Sequence, residues 1–270
     1  FAEALTMTFH RKRKLDVKII VKSKQILSQM LDNVAAGLVQ KRLESYGIEV
    51  IIGQDAAEII GDGKVKAVKL TDNKEIQCSL VVAGRGVSPN IDLAKAAGIK
   101  VNKGIIADSA LRTSAANIFC AGDVSETYDL ALGDFAVNAL WTMAVEQGKA
   151  SGMNMSGGKV DYPGSIGMNA TEFFSLPIVS LGINKIKEGA QGYEQSQTLD
   201  AKNSIYKKII LKGNFLVGAV LIGNIKNSGV LLRLIRERIN VSLFKDELLD
   251  ENFGFARIID SVKERERIYV

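Results

Sequence analysis

The stretch Arg112-Thr113-Ser114-Ala115-Ala116-Asn117-Ile118-Phe119-Cys120-Ala121-Gly122-Asp123-Val124 decides how this chain is read. Ile118 to Cys120 are apolar without alternation, the pattern of a short strand covered on both faces of a parallel sheet. Gly122 removes the side chain at the strand's carboxyl end, the edge where open α/β sheets receive ligands. Asp123 is left at the rim as an acceptor for sugar-type hydroxyls, which points to a nucleotide cofactor. The same residues also read as a strand followed by an ordinary Gly-Asp turn, and alone they do not choose between the two.

The rest of the chain sets what such a site can do. With 270 residues, 47% apolar and 24% charged, it has the composition of a folded, soluble protein able to bury a substantial core. Its longest apolar run, Phe215 to Ile222, is too short to span a bilayer and contains Gly218, so no membrane segment is expected. The excess of 35 basic over 30 acidic residues gives a net charge of +5, part of it in Arg11-Lys12-Arg13-Lys14 beside His10. That run could contact phosphates, but a solvated helix end is the more frequent explanation. Aromatics are only 6% and no nucleic-acid-binding motif accompanies the basic run, so nucleic acid is not an expected partner.

Cys78 and Cys120 lie far apart without Cys-x-x-Cys spacing, which offers no disulfide framework and no zinc or iron-sulfur site. A reducing, cytoplasmic location fits that usage. The single histidine, His10, leaves no Ser-His-Asp or Cys-His arrangement to assemble. Demanding chemistry is therefore expected of a bound cofactor. Phe1 to Met7 reads as the middle of a helix, with no initiator Met, cap or signal-peptide pattern, so a missing N-terminal segment is expected.

Asp16 to Val21 reads as a strand, Asp32 to Ser45 as a helix through Val34, Leu38 and Leu43 with Gly47 as its cap, and Glu49 to Ile52 as the next strand. Ala56 to Ile60, Val65 to Leu70 and Glu75 to Cys78 then form three short strands joined by Gly61-Asp62-Gly63 and Thr71-Asp72-Asn73, a meander inserted in a parallel α/β unit. Leu80 to Ala83 returns to a buried apolar strand that ends in Gly84-Arg85-Gly86-Val87-Ser88-Pro89-Asn90. Further on, Ser204 to Leu211 and Phe215 to Ile222 flank a Lys212-Gly213-Asn214 turn as a hairpin. Ser228 to Ile239 has helical spacing through Leu231, Leu232, Ile235 and Ile239. Lys263 to Arg267 alternates in charge, as a solvated helix face or tail does.

This order of elements is joined by Gly104-Ile105-Ile106-Ala107-Asp108, Leu111-Arg112-Thr113-Ser114, Ile26 to Asp32 and Val145 to Met155. Together with the opening stretch it resembles the FAD-dependent pyridine nucleotide-disulfide oxidoreductases, in the branch of NADH oxidases, coenzyme A disulfide reductases, rubredoxin reductases and nitrite reductase flavin parts. The resemblance covers residues 1 to 185 well and weakens from Lys185 onward. It implies an α/β fold: the remainder of a two-dinucleotide-binding-domain flavoprotein, with a parallel sheet, an inserted β-meander and a C-terminal α+β domain. The implied division is 1-84 for NAD(P) binding without its Gly-rich turn, 85-157 for the second FAD segment, and 158-270 for dimerisation or partner docking.

The resemblance also implies roles for residues. Asp123 would bond the ribityl chain of FAD, and Gly122 would let that chain pass. The helix starting near Leu140-Trp141-Thr142 would aim free N–H groups at the flavin ring, where its partial positive charge favours the negative charge that reduction brings. Trp141 would lie against the cofactor or pack under the helix. Cys120 stands where relatives commonly carry a small residue and reads as a buried hydrophobe. Gly86 would lie near the nicotinamide side, with a plain crossing-loop glycine as the alternative. Val21 aligns with the acid that usually selects NAD, and Lys22 and Lys24 would tolerate the extra phosphate of NADP, although surface lysines beside a loop are common. Two functions are expected to compete: an FAD-dependent oxidoreductase passing electrons from NAD(P)H to a disulfide, oxygen or a redox protein, as a homodimer, and a non-catalytic split subunit or scaffold. No catalytic side chain is identifiable.

Overall fold

The computed structural model describes residues 15–259; the basic run at His10 to Lys14, the helix expected at Phe1 to Met7 and the charge-alternating stretch Lys263 to Arg267 lie outside them. Strands β1 (Val17–Val21) and β2 (Ile48–Ile52) are rich in β-branched residues and pair in parallel, from Val17 against Ile48 to Val21 against Ile52. Between them runs helix α1 (Asn33–Ser45). Asp32 starts it by accepting the N–H groups of Val34 and Ala35, each at 3.0 Å. Gly47, at φ +80°, stops it with the left-handed residue that such an ending requires. Leu38 and Leu43 are buried as expected, with Ala35, Ala36 and Val39, whereas Val34 is exposed.

The meander forms β3 (Ala56–Gly61), β4 (Val65–Leu70) and β5 (Glu75–Gln77), an antiparallel three-stranded sheet. A short helix α2 (Asp92–Ala96) leads to a second three-stranded sheet of β6 (Ile105–Ile106), β7 (Ser125–Asp129) and β8 (Asp134–Ala136), in which β6 and β7 are parallel. Helix α3 (Trp141–Met155) follows. The remainder is a five-stranded antiparallel sheet of β9 (Met168–Phe173), β10 (Leu176–Gly182), β11 (Tyr193–Asp200), β12 (Ile205–Lys212) and β13 (Phe215–Ile222), in the order β11-β12-β13-β10-β9. Helix α4 (Ser228–Arg236) completes it.

That sheet is covered on both faces. Along β13, Ala219 and Leu221 join the core formed with α4, while Val220 and Ile222 join a separate core with Leu31, Ala35, Val39 and Leu43 of the α1 region. The period of two puts successive residues on opposite faces, so one strand belongs to two cores. On β12, Tyr206 and Lys208 share the α1 side. Tyr206 Oη donates to Asp32 Oδ2 at 2.8 Å, and Lys208 Nζ lies 3.1 Å from the same oxygen.

Two expectations are corrected. Ile118 to Cys120 is not a strand: its ladder pairing is limited to an isolated antiparallel bridge between Arg112 and Phe119, and Ile118 is exposed. Regular pairing resumes after the glycine, at Ser125–Asp129. Leu80 to Ala83 is likewise neither a strand nor buried, with Leu80 61% and Val82 54% exposed. An apolar run becomes a buried strand only beside a continuous ladder that pairs its backbone and covers its side chains. Ile118 to Cys120 has only scattered bonds to Leu111 and Thr113, with Cys120 alone buried, and Leu80 to Ala83 is not covered.

Candidate cofactor site

The opening motif forms a single 3-10 turn, Gly122–Val124, between an extended segment and β7. Gly122 has φ +80°, a conformation that an L side chain adopts only with strain. Its N–H donates to Gln147 Oε1 at 2.7 Å, which ties the turn to α3. Asp123 projects from the turn into solvent, and its carboxylate has no hydrogen-bond or ion-pair partner among the described residues.

Beside it stands the start of α3. Leu140 precedes the helix without capping it through a side chain, and the first helical bond runs from Ala144 N–H to Leu140 O at 2.9 Å. The N–H groups of the first turn, at Trp141 and Thr142, therefore face outward as orphan donors, with the positive end of the helix dipole behind them. Trp141 is 83% exposed, so it does not pack under the helix. An unpartnered carboxylate, a backbone that approaches without a Cβ and an uncapped helix start thus sit on adjacent elements. This donor and acceptor set fits the hydroxylated middle and the ring carbonyl of a flavin cofactor.

Lys22 and Gly86 lie elsewhere. Lys22 follows β1 and forms an ion pair with Asp55 at 3.5 Å. Arg85 grips the same Asp55 through two hydrogen bonds, 3.0 and 2.9 Å long. The Arg85 hydrogen bonds hold the Asp55 carboxyl below the usual carboxylate range, against a smaller opposing effect of burial. Two cations thus share one carboxylate at the carboxyl edge of the β1-β2 pair. Gly86, at φ +78°, sits on the exposed loop just beyond. Sequence reasoning named Lys22 but missed Asp55 and Arg85, whose pairing spans 30 residues and leaves no local signal.

Sequence reasoning also missed Gln147, although it stood inside the quoted Val145 to Met155 motif. The buried face of α3 is Met143, Gln147, Ala150, Ser151 and Asn154, a helical stripe with polar members. Polar side chains at core-facing positions were the available signal.

Cys120 is buried, its Sγ 3.6 Å from Ile105 O, and its thiol is pushed up to about 11 by burial, with the Asp108 charge adding to the effect. At pH 8 it is therefore almost entirely protonated. In the native chain, iodoacetamide at pH 8 is expected to label the half-buried Cys78 and spare Cys120, with mass spectrometry of tryptic peptides as the check. Rapid native alkylation of Cys120 would contradict this burial.

The profile of the pyridine nucleotide-disulphide oxidoreductases matches residues 2–148, and that of the rubredoxin NAD+ reductase C-terminal domain matches residues 168–239. Among relatives, the chain is 30% identical over 237 residues to the assimilatory nitrate reductase electron transfer subunit of Bacillus subtilis, covering 87% of this chain and 30% of that protein. It is 31% identical over 277 residues to an NADH oxidase of Methanocaldococcus jannaschii, covering 93% of this chain and 58% of that one. Among solved structures, the NAD-dependent persulfide reductase of A. fulgidus superposes with a TM-score of 0.80 at 27% identity, over 94% of this chain and 48% of its own. The chain thus spans well under two thirds of these relatives' lengths. The first profile covers more than half of the chain, and the motifs it spans include the turn and the helix start just described: the chain belongs to the pyridine nucleotide-disulphide oxidoreductase family.

Proposed function

We propose that the protein is an FAD-dependent NAD(P)H oxidoreductase. The observation that carries this reading is the free Asp123 carboxylate standing beside Gly122 and the uncapped start of α3. Asp123 would hold the ribityl hydroxyls, Gly122 would leave room for the chain, and the backbone at Leu140, Trp141 and Thr142 would face the ring carbonyl. Bound FAD would supply the redox chemistry, taking a hydride from NAD(P)H and handing electrons to a disulfide, oxygen or an electron-transfer protein.

Within this reading, residues 1-84 serve the nicotinamide nucleotide, 85-157 the flavin, and 158-270 an interface used for homodimerisation or for docking a redox protein. The two unpaired cysteines support a cytoplasmic location. Gly86 would border the nicotinamide. Lys22, 79% exposed at its side chain, would meet the extra phosphate of NADPH, with Arg85 beside it.

The test is the visible spectrum of the protein purified as it exists in the organism. Bound flavin that bleaches on addition of NADH or NADPH is expected, whereas a colourless sample that takes up no FAD would leave the scaffold reading. Lys22→Glu is expected to lower kcat/KM for NADPH relative to NADH by about fivefold, the size of an exposed charge contact. An unchanged ratio would remove Lys22 from nucleotide selection.

A further inference from the structure

The two parts of the candidate flavin site lie on different elements, and one buried polar network fixes both. Gln147 Oε1 accepts the Gly122 N–H at 2.7 Å and also lies 2.8 Å from Ser125 Oγ. Ser125 Oγ is 2.7 Å from Gly122 O as well, so the turn is held at its N–H and its carbonyl. Gln147 Nε2 donates to Thr127 Oγ1 at 3.4 Å, and that hydroxyl lies 3.4 Å from Ser165 Oγ. Asn138, three residues ahead of α3, donates through Nδ2 to Ser165 Oγ and to Asp129 Oδ2, both at 2.7 Å. Asp129 in turn accepts the N–H groups of Ala131, Leu132 and Gly167. Gln147, Ser125, Thr127 and Asp129 are each 2% exposed, and Ser165 is fully buried.

Apolar packing lets a turn slide against a helix, whereas directional bonds between buried groups permit few arrangements. Without the Gln147 oxygen, the Gly122 N–H would face an amide-free wall and the turn would re-orient to find another acceptor. Resting on the flavin reading above, we propose that Gln147 is the positioning residue of the cofactor site. It sets the Asp123 turn against the helix start, while Asn138 anchors the entry to that helix. Gln147 contacts no cofactor itself; it acts through the backbone of Gly122.

The test measures FAD dissociation constants by flavin fluorescence in the protein as it exists in the organism, at a temperature well below every variant's melting point. Gln147→Met keeps the volume and removes the acceptor. It is expected to weaken FAD binding about tenfold or more and to change the visible circular dichroism of bound flavin. Binding within about twofold of the parent in Gln147→Met, with unchanged circular dichroism, would overturn the proposal even if its melting temperature fell. Should Gln147→Met fail to fold, Ser125→Ala carries the same test: about threefold weaker binding supports the network, and parent-like binding overturns it. Asp123→Ala separates the two levels. If it loses flavin while Gln147→Met does not, only the positioning role fails; if neither loses flavin, the flavin reading fails as well.

Discussion

Asp32→Ala is expected to destabilise the protein by about 3–5 kcal/mol, because it strands the buried ammonium of Lys208 without its partner. Asp32 is 8% exposed and Lys208 5% exposed at the wall of an open cavity, so water only partly replaces what is removed. Asp32 Oδ2 meets Lys208 and Tyr206, Oδ1 caps α1, and among the described residues Lys208 keeps only Asn184 O, at 3.3 Å, as a further acceptor. Urea denaturation followed by circular dichroism measures the effect. The double variant Asp32→Ala/Lys208→Met, which buries no charge, should recover much of the loss, since an apolar replacement of a buried pair is often neutral. A single-variant loss below about 1 kcal/mol would mean that the pair is solvated in solution.

The same carboxyl sets a response to acid. Burial alone would raise its pKa, but hydrogen bonds from Ala35, Tyr206 and Lys208 outweigh that and leave it below the ordinary carboxylate value. A group depressed in the folded state contributes stability that is complete above its unfolded pKa of about 3.9 and is lost as pH falls through the lower folded value. The parent should therefore lose stability below about pH 4 more steeply than the double variant does.

Asp123→Ala acts in the opposite sense: a large effect on cofactor and almost none on the fold. A hydrogen bond to a charged group contributes about 1.5–3 kcal/mol, so FAD affinity should fall about ten- to hundredfold. The Asp123 carboxylate is exposed and without a partner among the described residues, so the melting temperature of the FAD-free protein should move by no more than about 2 °C. Asp123→Asn, which keeps one accepting oxygen, should fall between parent and alanine. Parent-like flavin content in Asp123→Ala would remove this residue from the site.

What was legible in the sequence was local. Asp32 and Gly47 bracket α1 because a cap and a left-handed stop are encoded within a turn of where they act. The meander and the β12-β13 hairpin were readable because short β-forming runs and the Gly, Asp and Asn residues of their turns lie side by side. The parallel pairing of β1 with β2 was also read correctly, but two apolar runs were misread for want of a distant neighbour. Ile118 to Cys120 and Leu80 to Ala83 carry the composition of buried strands, yet a strand exists only through its ladder partners. β11 was invisible for the converse reason, since Glu194 to Asp200 is polar on both faces and is held by pairing with β12. At the candidate site, Asp123 and the helix start were named from adjacent motif residues, and their elements are neighbours in the fold. Gln147 and the Arg85–Asp55 clamp were not, because their partners lie 25 and 30 residues away.

The sharing of one core by α1 and the far strands bears on how the chain is made. Asp32 and Tyr206 are 174 residues apart, so at roughly 5–20 residues per second a ribosome needs about 9–35 s to deliver the second after the first. For that interval Leu31, Ala35, Val39 and Leu43 have been synthesised without Tyr206, Val220 and Ile222 to cover them. Folding of this core is therefore delayed until β12 and β13 emerge, and the nascent chain exposes these apolar side chains during the time in which chaperones act.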